Sequence, residues 1–407
     1  MKHFLLSSLF TILIACASPA QDFDVKQIQT HIKTLADDKL EGRGTGTAGE
    51  KAASNYIIDS FKKLKLQPRG DNNSFLQQFP FRKGAHGEGD AGTAYNIVGF
   101  LDNNAANTII IGAHYDHLGT DGQGSSLDAN PKDKIHNGAD DNASGVAGVI
   151  ELARYFSTNN KKESNNYLFL CFSGEELGLL GSKFFADHSP VAITSINYMI
   201  NMDMIGRLDP QTKSVLVHGT GTSPVWEPTL KALENENIKI KTDSSGTGPS
   251  DHTSFYLKDI PVLHFFTGSH SDYHKPSDDW DKINLAGEAE VLKLIANLSM
   301  RLDAEPKLAF LKTKSKSMAG RTAFKVTMGI MPSYASDAEG LKVDGVSEGK
   351  PAAKGGVKTG DVIIQMGDFP IKDIQNYMDA LGKFEKGQTI PVKVKRDGKT
   401  VDLSITF

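Results

Sequence analysis

The stretch Thr108-Ile-Ile-Ile-Gly-Ala-His114 is the first of four short apolar runs, rich in β-branched and aromatic residues, that decide the fold of this chain. The other three runs cover 167–172, 198–202 and 261–266. Runs of this kind are typical of strands buried on both faces of a parallel sheet. Helical patterns, notably at 143–156 and 177–186, alternate with the runs. The sequence therefore predicts an α/β fold in which a mixed, mostly parallel sheet is sandwiched by helices.

Length and charge limit the classes of protein that this chain can form. The chain has 407 residues, which allows two or three domains. Its 45 basic and 49 acidic residues give a net charge of −4, so it lacks the basic field that holds DNA or RNA, and we expect no nucleic acid partner. The two cysteines, Cys16 and Cys171, cannot form a disulfide framework. Cys171 lies in an apolar run and is expected to be a small buried hydrophobe.

The N-terminus has the pattern of a bacterial secretory signal, because Lys2 and His3 precede an apolar run over 4–15. Small residues at Ser18 and Ala20 suit cleavage after residue 20, whereas 13–16 resembles a lipobox whose Cys16 would carry a lipid anchor. A third alternative is that the run forms a buried first helix. No run in the sequence has the ~20 apolar residues of a spanning helix. We therefore expect an exported protein, periplasmic or secreted, without a transmembrane helix.

The pattern of residue types along the sequence changes after a last amphipathic helical pattern at 286–302. A lysine- and serine-rich stretch follows and predicts a solvated linker over 306–319. Beyond the linker, short alternating strand patterns separated by glycine turns begin at 323–328 and end at 401–407. The predicted organisation is a signal peptide at 1–20, a first domain at 21–305, the linker, and a small β-rich domain at 320–407.

Metal-ligating residue types follow each of the four apolar runs. In an open parallel sheet, reactive groups collect beyond the carboxyl ends of the strands, so these side chains are expected to converge. A further group at 138–145 precedes a predicted helix. A single histidine or aspartate at a strand end is usually structural, but convergence of five groups on one sheet edge favours a metal site. The candidate residues are His114, Asp116, Asp140, Glu175, Glu176, Asp203 and His274.

Imidazole and carboxylate ligands without a thiolate suit zinc, manganese or cobalt, and the mixture is typical of hydrolytic zinc sites. Asp140, Glu176 and Asp203 supply three negative charges, which two divalent ions and a bound hydroxide would neutralise, so two ions are favoured over one. Asp116 lies two residues beyond His114 and is expected to accept a hydrogen bond from the far nitrogen of its imidazole. His117 is expected to face away.

The adjacent glutamates Glu175 and Glu176 require different roles. If Glu176 binds metal, Glu175 lies on the other side of the turn and can act as a general base. The alternative is that the pair merely forms the acidic first turn of the following helix, where the helix dipole favours the same residue types.

These motifs resemble a known family. The segments His114-x-Asp116, Gly138-Ala-Asp-Asp-Asn-Ala-Ser-Gly145 and Gly174-Glu-Glu176, with Asn201-Met-Asp203 and Asp272-Tyr-His274 and the glycine-rich stretch at 40–49, are similar in order and spacing to two-zinc aminopeptidases. That family is related to secreted bacterial leucyl aminopeptidases and to glutamate carboxypeptidase.

The resemblance covers about 30–300 and implies roles for individual residues. Asp140 would bridge two Zn²⁺ ions, and Glu175 would be the base. His114 and Asp203 would bind one ion, and Glu176 and His274 the other. Asp116 would orient His114, and Tyr273 matches a tyrosine that polarises the scissile carbonyl in some members of the family.

Two further histidines lie near the predicted site, and the C-terminal region resembles a second family. His252, in a segment similar to one near the family's substrate pocket, either contacts substrate or braces its loop, and His264 is expected to be a satisfied core residue. The C-terminal region resembles the PDZ domains fused to bacterial secreted proteases. The resemblance implies that Gly329, Ile330 and Met331 form a loop that holds a peptide C-terminal carboxylate, and a purely structural tail is the alternative.

Taken together, the sequence predicts a dinuclear zinc exopeptidase that hydrolyses N-terminal residues of peptides through a metal-bridging hydroxide and a glutamate base. The PDZ-like domain would recruit peptide C-termini or a partner. The alternatives are a carboxypeptidase or glutaminyl cyclase on the same fold, and a catalytically dead peptide-binding protein.

Overall fold

The computed structural model describes residues 23–82, 90–313, 326–332, 340–346, 349–372 and 374–407. The predicted signal peptide, with Cys16, and the second part of the predicted linker lie outside the described residues. Among the residues that are described, no helix is both long enough and apolar enough to cross a membrane.

The first domain is built on a nine-stranded sheet. Its central strands, β7, β4, β8 and β11, are neighbours in that order and run parallel to one another. They coincide with the four apolar runs, so the prediction of a mostly parallel sheet is confirmed. The strands that flank this group are antiparallel to it, which was not predicted: β3 pairs with β7, and β9 pairs with β11. The strands of the first domain are β1 (Gln67–Pro68), β2 (Leu76–Arg82), β3 (Ala91–Leu101), β4 (Asn107–His114), β5 (Gly119–Thr120), β6 (Ile135–His136), β7 (Asn165–Phe172), β8 (Ile196–Met202), β9 (Ser214–His218), β10 (Lys239–Asp243) and β11 (Val262–Phe266), of which β5 and β6 form a separate two-stranded hairpin.

Helices cover both faces of the sheet because alternate residues of each central strand point to opposite sides. Ile109 and Ile111 of β4 join one buried cluster with residues of helices α1, α2, α3, α5 and α7. Ile110 of the same strand joins a second cluster with residues of α4 and α6. Both faces of the strands are therefore apolar, which explains the uninterrupted runs in the sequence. The helices of the first domain are α1 (Val25–Leu35), α2 (Ala48–Lys63), α3 (Gly145–Thr158), α4 (Leu180–Asp187), α5 (Trp226–Leu233), α6 (His252–Tyr256) and α7 (Leu285–Leu302).

The C-terminal domain has its own sheet and its own apolar core, centred on residues such as Val343, Ile363 and Val392. The strand order is β12-β13-β14-β16-β17, with β15 paired to β14. In the described part of this domain, the first strand begins at Ile330, and residues 326–329 are not in a strand. The start of the strand that the sequence predicted at 323–328 lies outside the described residues. The elements are β12 (Ile330–Pro332), β13 (Leu341–Val346), α8 (Pro351–Lys354), β14 (Val362–Met366), β15 (Phe369–Pro370), α9 (Ile374–Leu381), β16 (Thr389–Arg396) and β17 (Lys399–Thr406).

The first part of the predicted linker packs against the first domain instead of lying in solvent. Leu308 is buried in the main core cluster, and the ring of Phe310 lies 5.5 Å from that of Tyr256. The backbone N–H of Leu311 donates to the carbonyl of Thr222, and that of Thr313 donates to the hydroxyl of Tyr256. Residues 308–313 therefore belong to the packed first domain, because apolar side chains in this segment find partners there.

We predict that Leu308→Ala lowers the free energy of unfolding by about 2–5 kcal/mol, the usual cost of emptying a well-packed leucine site. The matched control is Leu311→Ala in the same segment, where the side chain is 46% exposed and the change should stay below about 0.5 kcal/mol. Urea unfolding followed by tryptophan fluorescence measures both changes. Equal effects in the two variants would contradict the placement of residues 308–313 on the first domain.

Candidate metal centre

The candidate residues meet at the carboxyl edge of the parallel sheet. His114 is the last residue of β4, and Asp203 directly follows the last residue of the adjacent strand β8. Glu175 and Glu176 lie in the segment between β7 and α4. The three strands are parallel neighbours, so their carboxyl ends open onto the same cleft.

His114 lies at the centre of a first group of donors. Its Nε2 atom is 3.3 Å from Oδ1 of Asp203 and 3.4 Å from Oδ1 of Asp141. On the other side of the ring, Nδ1 is 3.2 Å from the backbone oxygen of Asp116 and 3.7 Å from its carboxylate. The backbone carbonyl of Asp116 is thus closer to the imidazole than the carboxylate that the sequence analysis favoured.

His274 lies at the centre of a second group. Its Nε2 atom is 3.3 Å from Oδ2 of Asp141 and 3.2 Å from Oε2 of Glu176. Its Nδ1 atom is 3.1 Å from the backbone oxygen of Ser125, which fixes the orientation of the ring. Asp141 therefore offers one carboxylate oxygen to each imidazole, His114 and His274.

This geometry corrects the predicted ligand set at one position, because the carboxylate between the two imidazoles is that of Asp141 and not that of Asp140. Asp140 points to the opposite side, where Oδ1 accepts a hydrogen bond from Gly206 N–H at 2.7 Å and Oδ2 is 3.1 Å from Nε2 of His270. Asp278 accepts the backbone N–H groups of both aspartates and so fixes the segment. Asp140 and Asp141 are adjacent and identical in type, so a sequence pattern cannot show which of the two faces the cleft.

His117 was expected to face away, and it does not. Its Nδ1 atom lies 2.8 Å from Oε1 of Glu176 and 3.8 Å from Oδ2 of Asp141, and its side chain is fully buried. The expectation was wrong because the strand ends at His114, so the alternation of side chains no longer applies three residues later.

Glu175 lines the cleft next to these groups. Its backbone N–H donates to Oδ1 of Asp116 at 3.1 Å, and Oδ2 of Asp116 accepts the hydroxyl of Thr45 at 2.9 Å. Glu175 and Glu176 belong to a turn that ends before α4 begins at Leu180, so the alternative of an acidic first helical turn does not hold. Burial raises the pKa of Glu175 well above 4.5, and the neighbouring carboxylates of Glu176, Asp203 and Asp251 add to this effect against the opposing influence of His114.

The negative charges of the carboxylates at this site are not fully compensated by positive charges. Burial alone would lower the pKa values of His114 and His274, yet Asp203 at the first and Glu176 at the second outweigh burial and hold both pKa values well above 6.5. In the part of the chain that the structure describes, no lysine or arginine forms an ion pair with Asp141, Glu176 or Asp203. Protons on the imidazoles are the available counter-charge, and divalent cations would supply it more fully.

A buried arginine in the glycine-rich stretch at 40–49 is a contributor that the sequence analysis missed. The Arg43 side chain is fully buried and donates to the carbonyl oxygens of Leu35, Tyr115, Asn137 and Gly138. Burial lowers its pKa to about 10, and the nearby acids, Asp141 first among them, oppose that shift. Arg43 thus ties the segments that carry Asp116 and Asp141 to the first helix.

The cleft continues past the donor groups. Its far wall includes Met204, His264, Phe266 and Tyr273, and the Tyr273 ring stacks on that of His274 at 3.9 Å. His264 was expected to be a satisfied core residue; it is buried, but neither ring nitrogen has a hydrogen-bond partner among the described residues.

The side chain of His252 is also fully buried, and its ring stacks on that of His264 at 4.6 Å. Cys171 is buried as expected.

The donors fit divalent zinc. Two groups of potential ligands, each with its donor atoms within 4.8 Å of one another, are His114 with Asp141 and Asp203, and His117 with Asp141 and Glu176. Imidazole nitrogen and carboxylate oxygen without a thiolate are the donors of hydrolytic zinc sites. Asp141 belongs to both groups, so one carboxylate can serve two adjacent ions.

In the C-terminal domain, the predicted carboxylate-binding loop lies where β12 begins. Gly329 has a backbone φ of +70°, and Ile330 and Met331 pair with Val346 and Gly345 of β13. Peptide binding by this loop stays a prediction.

Comparison with known protein families gives two matches. A model described as Peptidase family M28 matches residues 96–299, and a model described as PDZ domain matches residues 326–407. The first match covers half of the chain and contains every candidate metal ligand named above, from His114 to His274.

Individual proteins and structures agree with these matches. Leupeptin-inactivating enzyme 1 of Streptomyces exfoliatus is 28% identical over 268 residues, which cover 64% of this chain and 53% of that enzyme. The chain spans about half the length, or less, of the curated relatives it matches.

Among solved structures, a zinc aminopeptidase from Bacillus subtilis aligns with a TM-score of 0.54 at 18% identity, covering 72% of this chain and 97% of that chain. The glutaminyl cyclase of Porphyromonas gingivalis aligns with a TM-score of 0.54 at 19% identity, covering 69% and 99%. At these identities, the structural likeness shows the fold alone.

We predict that Asp141→Asn weakens zinc binding by more than about 100-fold, because it removes charge from the carboxylate that faces both imidazoles. The matched control is Asp140→Asn, which keeps an acceptor for Gly206 N–H and should change zinc affinity less than about fivefold. Calorimetric titration of dialysed, chelator-treated protein measures both affinities. A larger loss in Asp140→Asn than in Asp141→Asn would restore the original assignment.

Proposed function

The chain belongs to peptidase family M28, and from this membership we propose that it is a dinuclear zinc exopeptidase that removes N-terminal residues from peptides. The observation that carries the proposal is the position of Asp141, with one carboxylate oxygen toward each of two buried imidazoles. A carboxylate shared in this way suits a pair of adjacent cations better than a single one.

The proposed ligands form two sets that share Asp141. His114 and Asp203 complete the set at β4 and β8, and Glu176 and His274 complete the set on the turn after β7 and the loop after β11. When bound, the ions would polarise the scissile carbonyl and make a coordinated water more acidic.

Glu175 is the proposed general base. It lines the same cleft as the donors, and burial beside other carboxylates raises its pKa, which makes its carboxylate a stronger base. In the proposed reaction, Glu175 takes a proton from the attacking water as the oxygen adds to the carbonyl carbon. The carbon–nitrogen bond then breaks, and Glu175 passes the proton to the leaving amine.

Selection for a free N-terminus is proposed to come from acidic side chains near the metal ligands, which can pair with the ammonium group of a peptide N-terminus. An internal peptide bond presents no such cation. Tyr273, which stacks on His274 and lines the cleft, is proposed to donate to the substrate carbonyl oxygen.

Two alternatives on the same fold remain distinct hypotheses. The structural likeness to a glutaminyl cyclase raises cyclisation of N-terminal glutamine, with release of ammonia, as a second candidate. Cyclases use one metal ion, and the double donor set around Asp141 favours hydrolysis. A catalytically dead binding protein would have lost a ligand or Glu175, and each proposed residue is present.

The setting proposed for this activity is outside the cytoplasm, as the signal-like N-terminus suggests, and the PDZ domain is proposed to recruit peptide C-termini. A lipid anchor at Cys16 is the alternative to full secretion.

We predict that Glu175→Gln lowers kcat by about 10²- to 10⁴-fold while zinc content stays normal, because only the proton transfer is removed. The exposed Glu236→Gln is the matched control and should behave as the wild type. The assay compares peptides with free and acetylated N-termini and measures zinc by elemental analysis.

Hydrolysis confined to free N-termini supports the exopeptidase. Cleavage of acetylated peptides, or ammonia release from N-terminal glutamine without hydrolysis, would point to an alternative. Unchanged kcat in Glu175→Gln with full zinc content would remove Glu175 from the mechanism.

A chain that ends at Thr313 should hydrolyse dipeptides as well as the whole chain does, because all proposed ligands lie before residue 275. For long peptides with a free C-terminal carboxylate, kcat/KM should fall at least about tenfold, since the PDZ domain no longer raises the local peptide concentration. The test is the ratio of kcat/KM for long and short peptides. Equal ratios in both chains would mean that the PDZ domain does not recruit substrate.

A further inference from the structure

His117 is a buried imidazole at the metal centre for which the proposed reaction has no role. Its side chain has no exposed surface, and its Nδ1 atom lies 2.8 Å from Oε1 of Glu176. The other ring nitrogen, Nε2, is buried and has no hydrogen-bond partner among the described residues. An unpartnered buried nitrogen is unfavourable, so the position of this ring calls for an explanation on its Nδ1 side.

The two oxygens of Glu176 face different histidines. Oε1 lies against Nδ1 of His117, whereas Oε2 is 3.2 Å from Nε2 of His274. The same Nε2 atom of His274 is 3.3 Å from Oδ2 of Asp141. The donors that could share a cation therefore lie on the Oε2 side of Glu176, and His117 holds the opposite oxygen.

The surroundings of His117 keep its ring in this place. Its backbone N–H donates to the carbonyl of Arg43 at 3.1 Å, in a short parallel bridge between Gly44 and His117. The ring packs flat against Gly138, where an added Cβ atom would overlap the imidazole. The ring of His274 lies at 72° to it, with centroids 5.9 Å apart.

We propose that His117 is a positioning residue, whose Nδ1–H donates to Oε1 of Glu176 and so presents Oε2 to the cation shared with His274 and Asp141. This assignment rests on the proposed two-ion function. It differs from direct ligation, which the closeness of His117 to Asp141 and Glu176 also allows.

The distances favour hydrogen bonding over ligation. Two atoms that bind one zinc ion at about 2.0–2.1 Å in a tetrahedron lie roughly 3.3 Å apart, because the angle between them is close to 109°. The pairs formed by His274 Nε2 with Oε2 of Glu176 and with Oδ2 of Asp141 have this spacing. His117 is too close to Oε1 of Glu176, at a normal hydrogen-bond length, and too far from Asp141, at 3.8 Å.

The test separates a hydrogen-bond donor from a ligand by comparing His117→Asn with His117→Ala. The asparagine amide can place an N–H near the position of Nδ1 but is a poor zinc ligand, and alanine provides neither function. Zinc is titrated calorimetrically into the full-length, chelator-treated protein. The thermal unfolding midpoint of each metal-free variant shows that it is folded, and the exposed His188→Asn is the matched control.

We expect two zinc-binding events in the wild type and in His188→Asn. His117→Ala should weaken one event by about 10- to 100-fold and leave the other within about threefold, and His117→Asn should restore the weakened event to within about threefold of wild type. If His117→Ala does not fold, His117→Gln replaces it, because the glutamine amide reaches the position of Nε2 and cannot serve Oε1.

Three results would overturn the assignment. Binding in His117→Asn as weak as in His117→Ala would make His117 a ligand. If all variants bind zinc with wild-type affinity, His117 is not needed to position Glu176. A wild type with a single binding event would overturn the two-ion function itself, and this outcome is recognisable because it does not depend on any His117 variant.

Discussion

Buried negative charge is the constraint on which the arrangement of this protein depends. Asp116, Asp141 and Asp278 are buried within one small region, and Glu175, Glu176 and Asp203 face the adjoining cleft. Ionised carboxylates in a poorly solvated site are costly unless cations or hydrogen-bond donors compensate them. The fold supplies both: backbone N–H groups for Asp278 and Asp116, imidazoles for Asp141 and Glu176, and a buried arginine nearby. What is left uncompensated is the charge that divalent ions would neutralise.

The parallel sheet makes this concentration of charge possible. Strands β7, β4 and β8 are bound along their length by apolar clusters on both faces, so their carboxyl ends are fixed and lie side by side. Polar residues that directly follow such strands therefore lie close to one another. Arg43 extends this order to the loops, because its guanidinium donates four hydrogen bonds to carbonyl oxygens in three separate segments. The same arginine therefore offsets charge and joins the glycine-rich stretch to the segments that carry Asp116 and Asp141.

The function proposed for the second domain does not depend on the first domain's chemistry. It has a separate core, and the segment before it, up to Thr313, packs on the first domain around Leu308 and Tyr256. A PDZ domain captures an extended peptide through backbone hydrogen bonds, whereas the proposed metal centre acts on the opposite end of the chain. The combination fits peptides long enough to reach both sites, and it gives the short-peptide and long-peptide activities different physical origins.

The sequence by itself determined the parallel sheet, because residues buried on both faces must be apolar and the runs at 108–111, 167–172, 198–202 and 261–266 have no other explanation. It also identified four groups of polar residues at the strand ends and a fifth before a helix, since the order of elements brings these groups together. It could not decide between Asp140 and Asp141, or foresee that His117 turns toward Glu176. Those outcomes depend on backbone torsions in loops, where no periodicity relates neighbouring side chains. Strands β3 and β9, which flank the parallel strands, were missed because their burial is set by what packs against them. Only the tertiary structure fixed these choices, because hydrogen bonds from distant residues, Asp278 to the Asp140–Asp141 segment and Arg43 to the carbonyls of Tyr115 and Gly138, hold the loops in place.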